Sequence, residues 1–308
     1  MKKIFIDGSA GTTGLRIHER LGKRSEFEII TLTEEKRKDP EARAEIINRS
    51  DVTFLCLPDA AAIEAVAMVN NPNTVIIDTS TAHRTNPEFA YGFPELDESF
   101  EEKIKNSKRI AVPGCHAGGF IALVYPLVKA GIIPSDLNLF CHSITGYSGG
   151  GKKMIAEYEA EDRDTLLSAP RQYGLTQTHK HLKEMKAITG IAEFPIFTPV
   201  VSDFYSGMTV TVPLFASQIN GSAEDIKKVY KDKYNTSLVK YIDEAASDGF
   251  VSGLSMAFKD SMTISVAGNE DRILLIAQYD NLGKGASGAA IECLNLAMGL
   301  PAETGLEI

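Results

Sequence analysis

The most informative segment for the fold is Lys3-Ile-Phe-Ile-Asp-Gly8-Ser-Ala-Gly11-Thr-Thr-Gly14, and a helical pattern follows it. A short apolar strand, a glycine-rich turn and a helix predict the first unit of a nucleotide-binding domain. Glycines let the backbone turn tightly beside a pyrophosphate, and the helix N-terminus supplies N–H donors. The spacing departs from GxGxxG, so a glycine-rich turn in an unrelated α/β protein is the alternative interpretation. Its position directly after the first strand favours the nucleotide site.

Apolar segments and helical patterns alternate through the first third of the chain. Strands that are apolar throughout, with helices between them, are typical of a parallel sheet covered on both faces. After about residue 110 the predicted strands are longer and come in pairs, which favours an α+β domain with a mixed sheet. The predicted strands cover residues 3–6, 27–32, 52–57, 75–78, 110–112, 137–144, 208–216, 262–267 and 273–279, and the predicted helices cover residues 15–21, 40–48, 60–69, 116–130 and 286–298.

The sequence therefore predicts an α/β protein with two domains. A Rossmann-like nucleotide-binding domain comprises residues 1–114 and 285–308, and the second domain, residues 115–284, is an insertion. A chain of 308 residues is long enough for two domains of ordinary size.

Composition excludes several classes of protein. The chain has 32 basic and 41 acidic residues, and its formal charge of -9 disfavours a nucleic-acid binder. No apolar run approaches the roughly 18–20 residues that span a bilayer, and the polar start does not fit a signal peptide. We therefore expect a cytoplasmic protein without membrane contact. The 4 cysteines are widely spaced without a CxxC pair, which predicts free thiols and no metal site.

The end of the second strand bears on the choice of cofactor. NAD sites commonly place an acidic residue there to hold the ribose hydroxyls. This chain has Thr31 and Thr33 instead, followed by Glu34-Glu-Lys36-Arg37-Lys38. Hydroxyl and cationic donors suit a 2′-phosphate and favour NADP. The two glutamates weigh against this interpretation, and a solvated run of charges is the alternative.

The segment Val112-Pro-Gly-Cys115-His-Ala-Gly-Gly119 predicts the reactive centre. Cys115 lies between a strand and an apolar helix, where the field of the helix N-terminus stabilises a thiolate. Cys115 is therefore the predicted nucleophile. The other cysteines lie in apolar segments and fit the role of buried structural residues: Cys56, Cys141 and Cys293.

A covalent intermediate on a thiol needs a proton donor or acceptor nearby. His179-Lys-His181 supplies two imidazoles, which suit general acid–base chemistry near neutral pH. We interpret His18 as a surface residue of the first helix and His142 as a satisfied core residue of a strand.

Two further segments are candidates for binding an anion. Asp78-Thr-Ser80-Thr-Ala-His83-Arg84 follows the fourth strand, at the carboxyl edge where open α/β sheets bind ligands. The planar guanidinium of Arg84 suits a phosphate. Ser148-Gly-Gly-Gly151-Lys152-Lys153 predicts a flexible loop, acting either as a lid or anion cradle or as a plain surface loop.

Together with Leu57-Pro58-Asp59 and Asp280-Asn281-Leu-Gly-Lys-Gly-Ala-Ser-Gly288, these motifs resemble the shorter form of the N-acetyl-γ-glutamyl-phosphate reductase family over essentially the whole chain. Aspartate-semialdehyde dehydrogenases are wider relatives with a similar glycine loop and cysteine nucleophile. The resemblance implies the NADPH-dependent reduction of N-acetyl-γ-glutamyl phosphate to N-acetylglutamate 5-semialdehyde with release of phosphate, a step of arginine biosynthesis. It also implies that the second domain is a catalytic and oligomerisation domain, in a homodimer or homotetramer.

The resemblance assigns roles to individual residues. It implies Cys115 as the nucleophile and His179 as the general acid or base. The residues that it places at the substrate are Arg84, His181 and Glu184. The residues placed at the cofactor, with the glycine segment, are Gly8, Ser9, Gly11, Thr12, Thr13, Gly14, Leu57, Pro58, Ser80 and Asn281. The longer form of the family has tyrosine where this chain has His116, which leaves the role of His116 open.

Two other functions fit the same residues. An aspartate-semialdehyde dehydrogenase acts on an acyl phosphate that carries a free α-amine, and such an amine usually demands an acidic partner. A non-catalytic sensor would bind NADP without any turnover that depends on a thiol.

Overall fold

The first compact unit is an open parallel sheet between helices. The computed structural model describes residues 1–245 and 248–308, and this unit comprises Met1–Pro113 and Ala286–Leu306. Its strands are β1 (Lys2–Asp7), β2 (Phe27–Ile30), β3 (Val52–Leu55), β4 (Val75–Asp78), β5 (Ala90–Tyr91) and β6 (Arg109–Ala111). Its helices are α1 (Thr12–Leu21), α2 (Pro40–Arg49), α3 (Asp59–Ala67), α4 (Glu98–Asn106) and the last helix of the chain, α9 (Gly288–Ala297). The order β2-β1-β3-β4-β6-β5 is parallel throughout.

Burial on both faces explains why these strands are apolar throughout. Ile6 and the other side chains on the same face of the sheet pack in a core with Ile17 of α1 and Leu294 of α9. Phe5, on the opposite face, packs in a second core with Ile47 of α2. Successive strand residues point to opposite faces, so both sets must be apolar for the helices to pack.

The second compact unit is built on a mixed sheet. It comprises Gly114–Gly285 and Glu307–Ile308. Its strands are β7 (Phe140–Gly146), β8 (Arg171–Gln172), β9 (Ile196–Ser202), β10 (Met208–Phe215), β11 (Val239–Tyr241), β12 (Met262–Gly268) and β13 (Arg272–Tyr279). Its helices are α5 (Cys115–Lys129), α6 (Gly151–Glu159), α7 (His181–Thr189) and α8 (Ala223–Lys233). The order is β11-β12-β13-β10-β7-β9-β8, with parallel and antiparallel pairs.

The two faces of this second sheet differ in character. Helix α5 packs on β10 and β13, and α8 packs on β12. The opposite side carries apolar side chains that are largely exposed; we call it the exposed sheet face, and it includes Phe140, Ile196, Pro213, Phe215 and Leu274. Phe140 lies opposite Ile196, and Pro213 lies opposite Leu274, so these side chains share a face.

Helix α5 contains Pro126 near its C-terminal end. Proline has no N–H to donate to the carbonyl of Ala122, four residues earlier. The hydroxyl of Tyr234 in the segment after α8 donates to that carbonyl at 2.6 Å, and the Tyr230 hydroxyl donates to the carbonyl of Leu123. Two buried tyrosines thus satisfy carbonyl groups of the helix that begins at Cys115.

The structure confirms the predicted fold class and corrects several details. His142 is exposed, not buried, because alternation along β7 turns it outward while Cys141 and Ser143 point inward. The predicted flexible loop at 148–153 is also wrong, since a 3₁₀ turn and the start of α6 occupy it. Sequence patterns missed β9, whose Pro199 argues against a strand. No helix in the described part of the chain combines the length and apolar character needed to cross a bilayer.

Candidate active site

Cys115 is the first residue of α5 and is half-buried. Gly114 precedes it in an extended conformation (φ -74°, ψ 144°), and no side chain among the described residues caps this helix terminus. The first backbone N–H groups of α5 therefore keep their partial positive charge next to the thiol. That field favours the thiolate, which is the reactive form of cysteine.

Three contacts within the second unit fix the position of Cys115. The carboxylate of Glu184, buried on α7, accepts a hydrogen bond from the Gly114 N–H at 2.8 Å. The hydroxyl of Tyr279 donates to the carbonyl of Cys115 and accepts from the Gly119 N–H at 3.0 Å. A Cβ at Gly285 would lie 3.1 Å from the Cβ of Cys115, so glycine allows this segment to approach closely.

A cavity of about 230 Å³ opens at Cys115. Its walls include Thr145, Met154, Tyr173, His179 and Val201. None of the described residues that line it is Asp or Glu. The described chain also holds no group of three or more His, Cys, Asp or Glu side chains arranged to bind a metal ion.

The two predicted histidines meet at this cavity. The ring centroids of His179 and His181 lie 4.7 Å apart, nearly perpendicular to each other. The Nδ1 atom of His179 accepts a hydrogen bond from the backbone N–H of His181 at 3.2 Å. A neutral His179 ring therefore carries its proton on Nε2, which leaves that atom as the proton donor.

His116 and Tyr173, which the sequence did not assign, line the same cavity. The ring of His116 is hydrogen-bonded through Nδ1 to the Ser143 hydroxyl at 2.6 Å and through Nε2 to the Tyr173 hydroxyl at 2.7 Å. Burial, followed by the charge of His179, lowers the pKa of His116 to about 3. His116 is therefore neutral and does not act as a cation.

The glycine segment in the first unit has the shape of a dinucleotide cradle. Gly8 has a φ of +87°, and a Cβ there would lie 2.2 Å from the carbonyl oxygen of Cys56. A Cβ at Gly14 would lie 2.5 Å from the carbonyl oxygen of Gly8, so both positions require glycine. Helix α1 begins at Thr12 after Gly11, without a capping side chain among the described residues.

The hydroxyl of Thr12 supports the same interpretation. Its Oγ1 atom is buried and has no hydrogen-bond partner in the described chain. A buried polar group without a hydrogen-bond partner, at an uncapped helix N-terminus, fits the binding of a dinucleotide phosphate. Thr13 is the second residue of α1.

A cavity of about 370 Å³ adjoins this cradle. Gly8, Ser9, Leu57, Thr31 and Arg37 are among its lining residues. His18, predicted as a surface residue of the first helix, is half-buried and also lines this cavity. Of the three basic residues predicted near the cofactor, only Arg37 lines this cavity.

The remaining predicted site residues have structural contacts. Pro58 precedes α3, and the Ser80 hydroxyl donates to Asp78 at 2.7 Å. The buried guanidinium of Arg84 donates to the carbonyls of Val112 at 2.8 Å and Thr79 at 3.0 Å.

In the second unit, the side-chain amide of Asn281 is hydrogen-bonded on both sides. It donates to the Ser148 hydroxyl at 3.0 Å and accepts from the Gly207 N–H at 2.8 Å.

The other three cysteines are poor nucleophiles. Cys141 and Cys293 are buried, whereas Cys56 is half-buried just after β3. Desolvation raises the pKa of Cys56 to about 12 and also raises the pKa of Cys141. Both thiols are therefore protonated at neutral pH, in contrast to the setting of Cys115.

Two family models match the chain. The model of the semialdehyde dehydrogenase NAD binding domain matches residues 3–107, and that of the semialdehyde dehydrogenase dimerisation domain matches residues 115–281. The first unit therefore contains an NAD(P)-binding domain, and the second contains a dimerisation domain.

Curated relatives match over almost their whole lengths. N-acetyl-gamma-glutamyl-phosphate reductase 2 of Nostoc sp. is 42% identical, covering 99% of this chain and 99% of the relative. N-acetyl-gamma-glutamyl-phosphate reductase of Chelativorans sp. is 44% identical, covering 96% of this chain and 98% of the relative.

Solved structures share the fold at low sequence identity. Aspartate semialdehyde dehydrogenase II of Vibrio cholerae, complexed with ASA, superposes with a TM-score of 0.72 at 16% identity, covering 97% of this chain and 98% of the other. Aspartate semialdehyde dehydrogenase of Candida albicans, solved with NADP, superposes with a TM-score of 0.68 at 14% identity, covering 99% of this chain and 100% of the other. At such identities the likeness establishes the fold alone.

Proposed function

Because the chain belongs to the N-acetyl-γ-glutamyl-phosphate reductase family of the semialdehyde dehydrogenases, we propose that it reduces N-acetyl-γ-glutamyl phosphate to N-acetylglutamate 5-semialdehyde and releases phosphate. The observation that carries this proposal is Cys115 at the uncapped N-terminus of α5, facing a cavity that His179 also lines. A thiolate and an imidazole at one cavity are the two groups that an acyl-phosphate reductase needs.

Cys115 forms and releases the covalent intermediate. Its thiolate attacks the acyl carbon, the C–S bond forms, and the bond to the phosphate oxygen breaks. The backbone N–H groups at the start of α5 stabilise the negative charge on the acyl oxygen. After reduction of the thioester, the thiohemiacetal collapses, which restores the thiolate and releases the aldehyde.

His179 moves the proton in this sequence. Its Nδ1 atom is occupied by the His181 N–H, so its Nε2–H donates to the acyl oxygen as hydride arrives. The same atom takes the proton back when the thiohemiacetal collapses. His181 and Glu184 hold the site, since His181 orients His179 and Glu184 fixes Gly114.

The lining of the cavity supports an N-acylated substrate. A free α-amine is charged at neutral pH and needs an acidic partner, and the described lining residues include neither Asp nor Glu. This favours N-acetyl-γ-glutamyl phosphate over the acyl phosphate of an aspartate-semialdehyde dehydrogenase. Arg84 stays the proposed ligand of the leaving phosphate.

We propose NADP rather than NAD as the cofactor, and its reduced form would supply the hydride when bound. The glycine segment and Thr12 would hold its phosphates. Thr31 and Arg37, which line the adjoining cavity, would hold a 2′-phosphate through a hydroxyl and a guanidinium. Asn281 is proposed at the nicotinamide only from its place in the family motif.

One assay tests the reaction and separates the alternatives. The purified protein is given N-acetylglutamate 5-semialdehyde, inorganic phosphate and either NADP or NAD, and reduced cofactor is followed by absorbance. We expect oxidation that requires phosphate and a higher kcat/KM with NADP. Faster turnover of aspartate semialdehyde would favour the aspartate-semialdehyde dehydrogenase activity, and cofactor binding without any turnover would favour a sensor. A preference for NAD would contradict the role given to Arg37.

A further inference from the structure

Two buried side chains, Ser143 and His116, and the half-buried Tyr173 form a hydrogen-bonded chain that ends at the cavity. Ser143, on β7, is fully buried and contacts Nδ1 of His116, whose Nε2 contacts the hydroxyl of Tyr173. Across residues 1–245 and 248–308, these are the side-chain hydrogen bonds that the structure gives to the three residues. We call this set the Ser143–His116–Tyr173 chain.

Counting donors and acceptors fixes the direction of this chain. A neutral histidine has one N–H donor and one acceptor nitrogen, so the two bonds of His116 must run in the same direction. If His116 donated to Ser143, the Ser143 hydroxyl proton would be buried without an acceptor among the described residues, and that is costly. Ser143 therefore donates to Nδ1, and Nε2–H donates to the oxygen of Tyr173.

Tyr173 then has its own proton left to donate. Its oxygen already accepts from His116, so the O–H is available to an acceptor in the cavity that Tyr173 lines. Burial, followed by the charge of Cys115, raises the pKa of Tyr173, and the hydroxyl stays protonated. A phenol that keeps its proton is better suited to donating a hydrogen bond to a neutral carbonyl oxygen than to transferring a proton.

We propose that the Ser143–His116 pair orients the Tyr173 hydroxyl as a hydrogen-bond donor to a neutral amide carbonyl of the bound substrate. The proposal rests on the proposed function and makes Tyr173 a determinant of substrate specificity. His116 and Ser143 are positioning residues, because they act through Tyr173. An N-acyl group presents such a carbonyl, whereas a free ammonium presents only donors and would face another donor.

A double-mutant cycle with Ser143→Ala and Tyr173→Phe tests whether Ser143 acts on substrate binding through Tyr173. Tyr173→Phe should raise the KM for N-acetylglutamate 5-semialdehyde about 3- to 10-fold, with kcat and the KM for NADP little changed. Ser143→Ala should raise the same KM about 2- to 5-fold, because Ser143 would no longer determine which ring nitrogen of His116 carries the proton. In the double variant, Ser143→Ala should add nothing to the effect of Tyr173→Phe.

Ser265→Ala is the matched control, since Ser265 is a buried serine on β12 that does not belong to the Ser143–His116–Tyr173 chain. It should leave the KM for the semialdehyde unchanged. Additive effects of Ser143→Ala and Tyr173→Phe would overturn the proposal, as would an unchanged KM in Tyr173→Phe. An effect confined to kcat would assign Tyr173 to the chemical step instead and would also overturn it.

A second measurement separates this inference from the proposed reaction. Nitrogen-15 NMR of labelled histidines, with the His116 signals assigned from a His116→Gln variant, reports which ring nitrogen carries the proton. We expect an unprotonated Nδ1 and a protonated Nε2. The opposite tautomer, or a doubly protonated ring, overturns the inference whether or not the protein turns over the semialdehyde. A protein with the expected tautomer but no turnover contradicts only the proposed reaction.

Discussion

At Cys115, local sequence supplies the reactivity and distant residues supply the geometry. The thiol lies at the start of α5, so the field that favours its thiolate comes from the backbone of its own helix. Its carbonyl is held by Tyr279, which lies 164 residues later in the chain. A serine in its place would keep the helix and these backbone contacts, but a hydroxyl is a far weaker nucleophile at neutral pH.

The Cys115→Ser variant should therefore lose at least about a thousandfold in kcat while it still binds NADPH. Steady-state kinetics and fluorescence titration with NADPH measure the two properties. Cys56→Ser is the matched control and should retain activity, because desolvation raises the pKa of the Cys56 thiol and keeps it protonated. Near-normal turnover by Cys115→Ser would remove the covalent step from the mechanism.

The two histidines should separate in kinetic terms. His179→Asn removes the proton donor, and general acid–base groups typically contribute about 10²–10⁴-fold, so kcat should fall by that factor. His181→Asn keeps the backbone N–H that binds His179 and should act mainly on the KM of the semialdehyde. Both effects are measured from the dependence of initial rate on semialdehyde concentration. A loss of kcat in His181→Asn with a mild effect in His179→Asn would exchange the two roles.

At the scale of secondary-structure elements, α5 depends on the segment around α8. Pro126 removes one hydrogen bond within α5, and the buried Tyr234 hydroxyl replaces it at the carbonyl of Ala122. The first turns of the same helix carry Cys115, His116 and Gly119. A proline in a buried helix is thus tolerated because a residue more than 100 positions away supplies the missing donor.

Tyr234→Phe should destabilise the protein by about 1–3 kcal/mol, because the Ala122 carbonyl would be left buried without a partner. Urea unfolding followed by circular dichroism measures the loss. Tyr205→Phe is the control; Tyr205 is only partly buried, so the change should stay within about 0.5 kcal/mol. Equal stability of the Tyr234→Phe and wild-type proteins would show that the carbonyl does not need this donor.

At the scale of the whole molecule, the exposed sheet face is the candidate for self-association. Ile196 is 51% exposed and Phe140 is 48% exposed, and they are neighbours on adjacent strands. A contiguous apolar surface of this kind marks an interaction site, and it lies in the region matched by a dimerisation domain. We propose that a second copy of the chain covers it, in a homodimer or homotetramer.

The double variant Phe140→Asp/Ile196→Asp should weaken this association at least tenfold, because two charges would be buried in an apolar interface. Sedimentation velocity over a range of protein concentrations measures the change. Ile63→Asp, which alters an exposed apolar residue on α3, is the control and should leave the assembly intact. An unchanged oligomer in the double variant would place the interface elsewhere.

Features that depend on short stretches of chain could be derived from the amino-acid sequence without the structure. The first β-α unit with its required glycines, the alternating parallel sheet and the position of Cys115 at a helix start all follow from local periodicity and backbone conformation. Those signals were enough for the fold class, whereas the family resemblance rested on motifs along the whole chain. The structure and the relatives confirm both.

Which distant side chains meet depends on tertiary packing, which short sequence patterns do not report. Ser143, His116 and Tyr173 share hydrogen bonds across 27 and 57 positions of the chain, and nothing in their local sequence indicates this. His142 shows the same limit, because the side of the sheet that the helices cover decides whether a strand residue is buried. Contacts of this kind arise because the start of α5, the residue after β8 and the middle of β7 come together in the tertiary structure. Local periodicity does not encode that meeting.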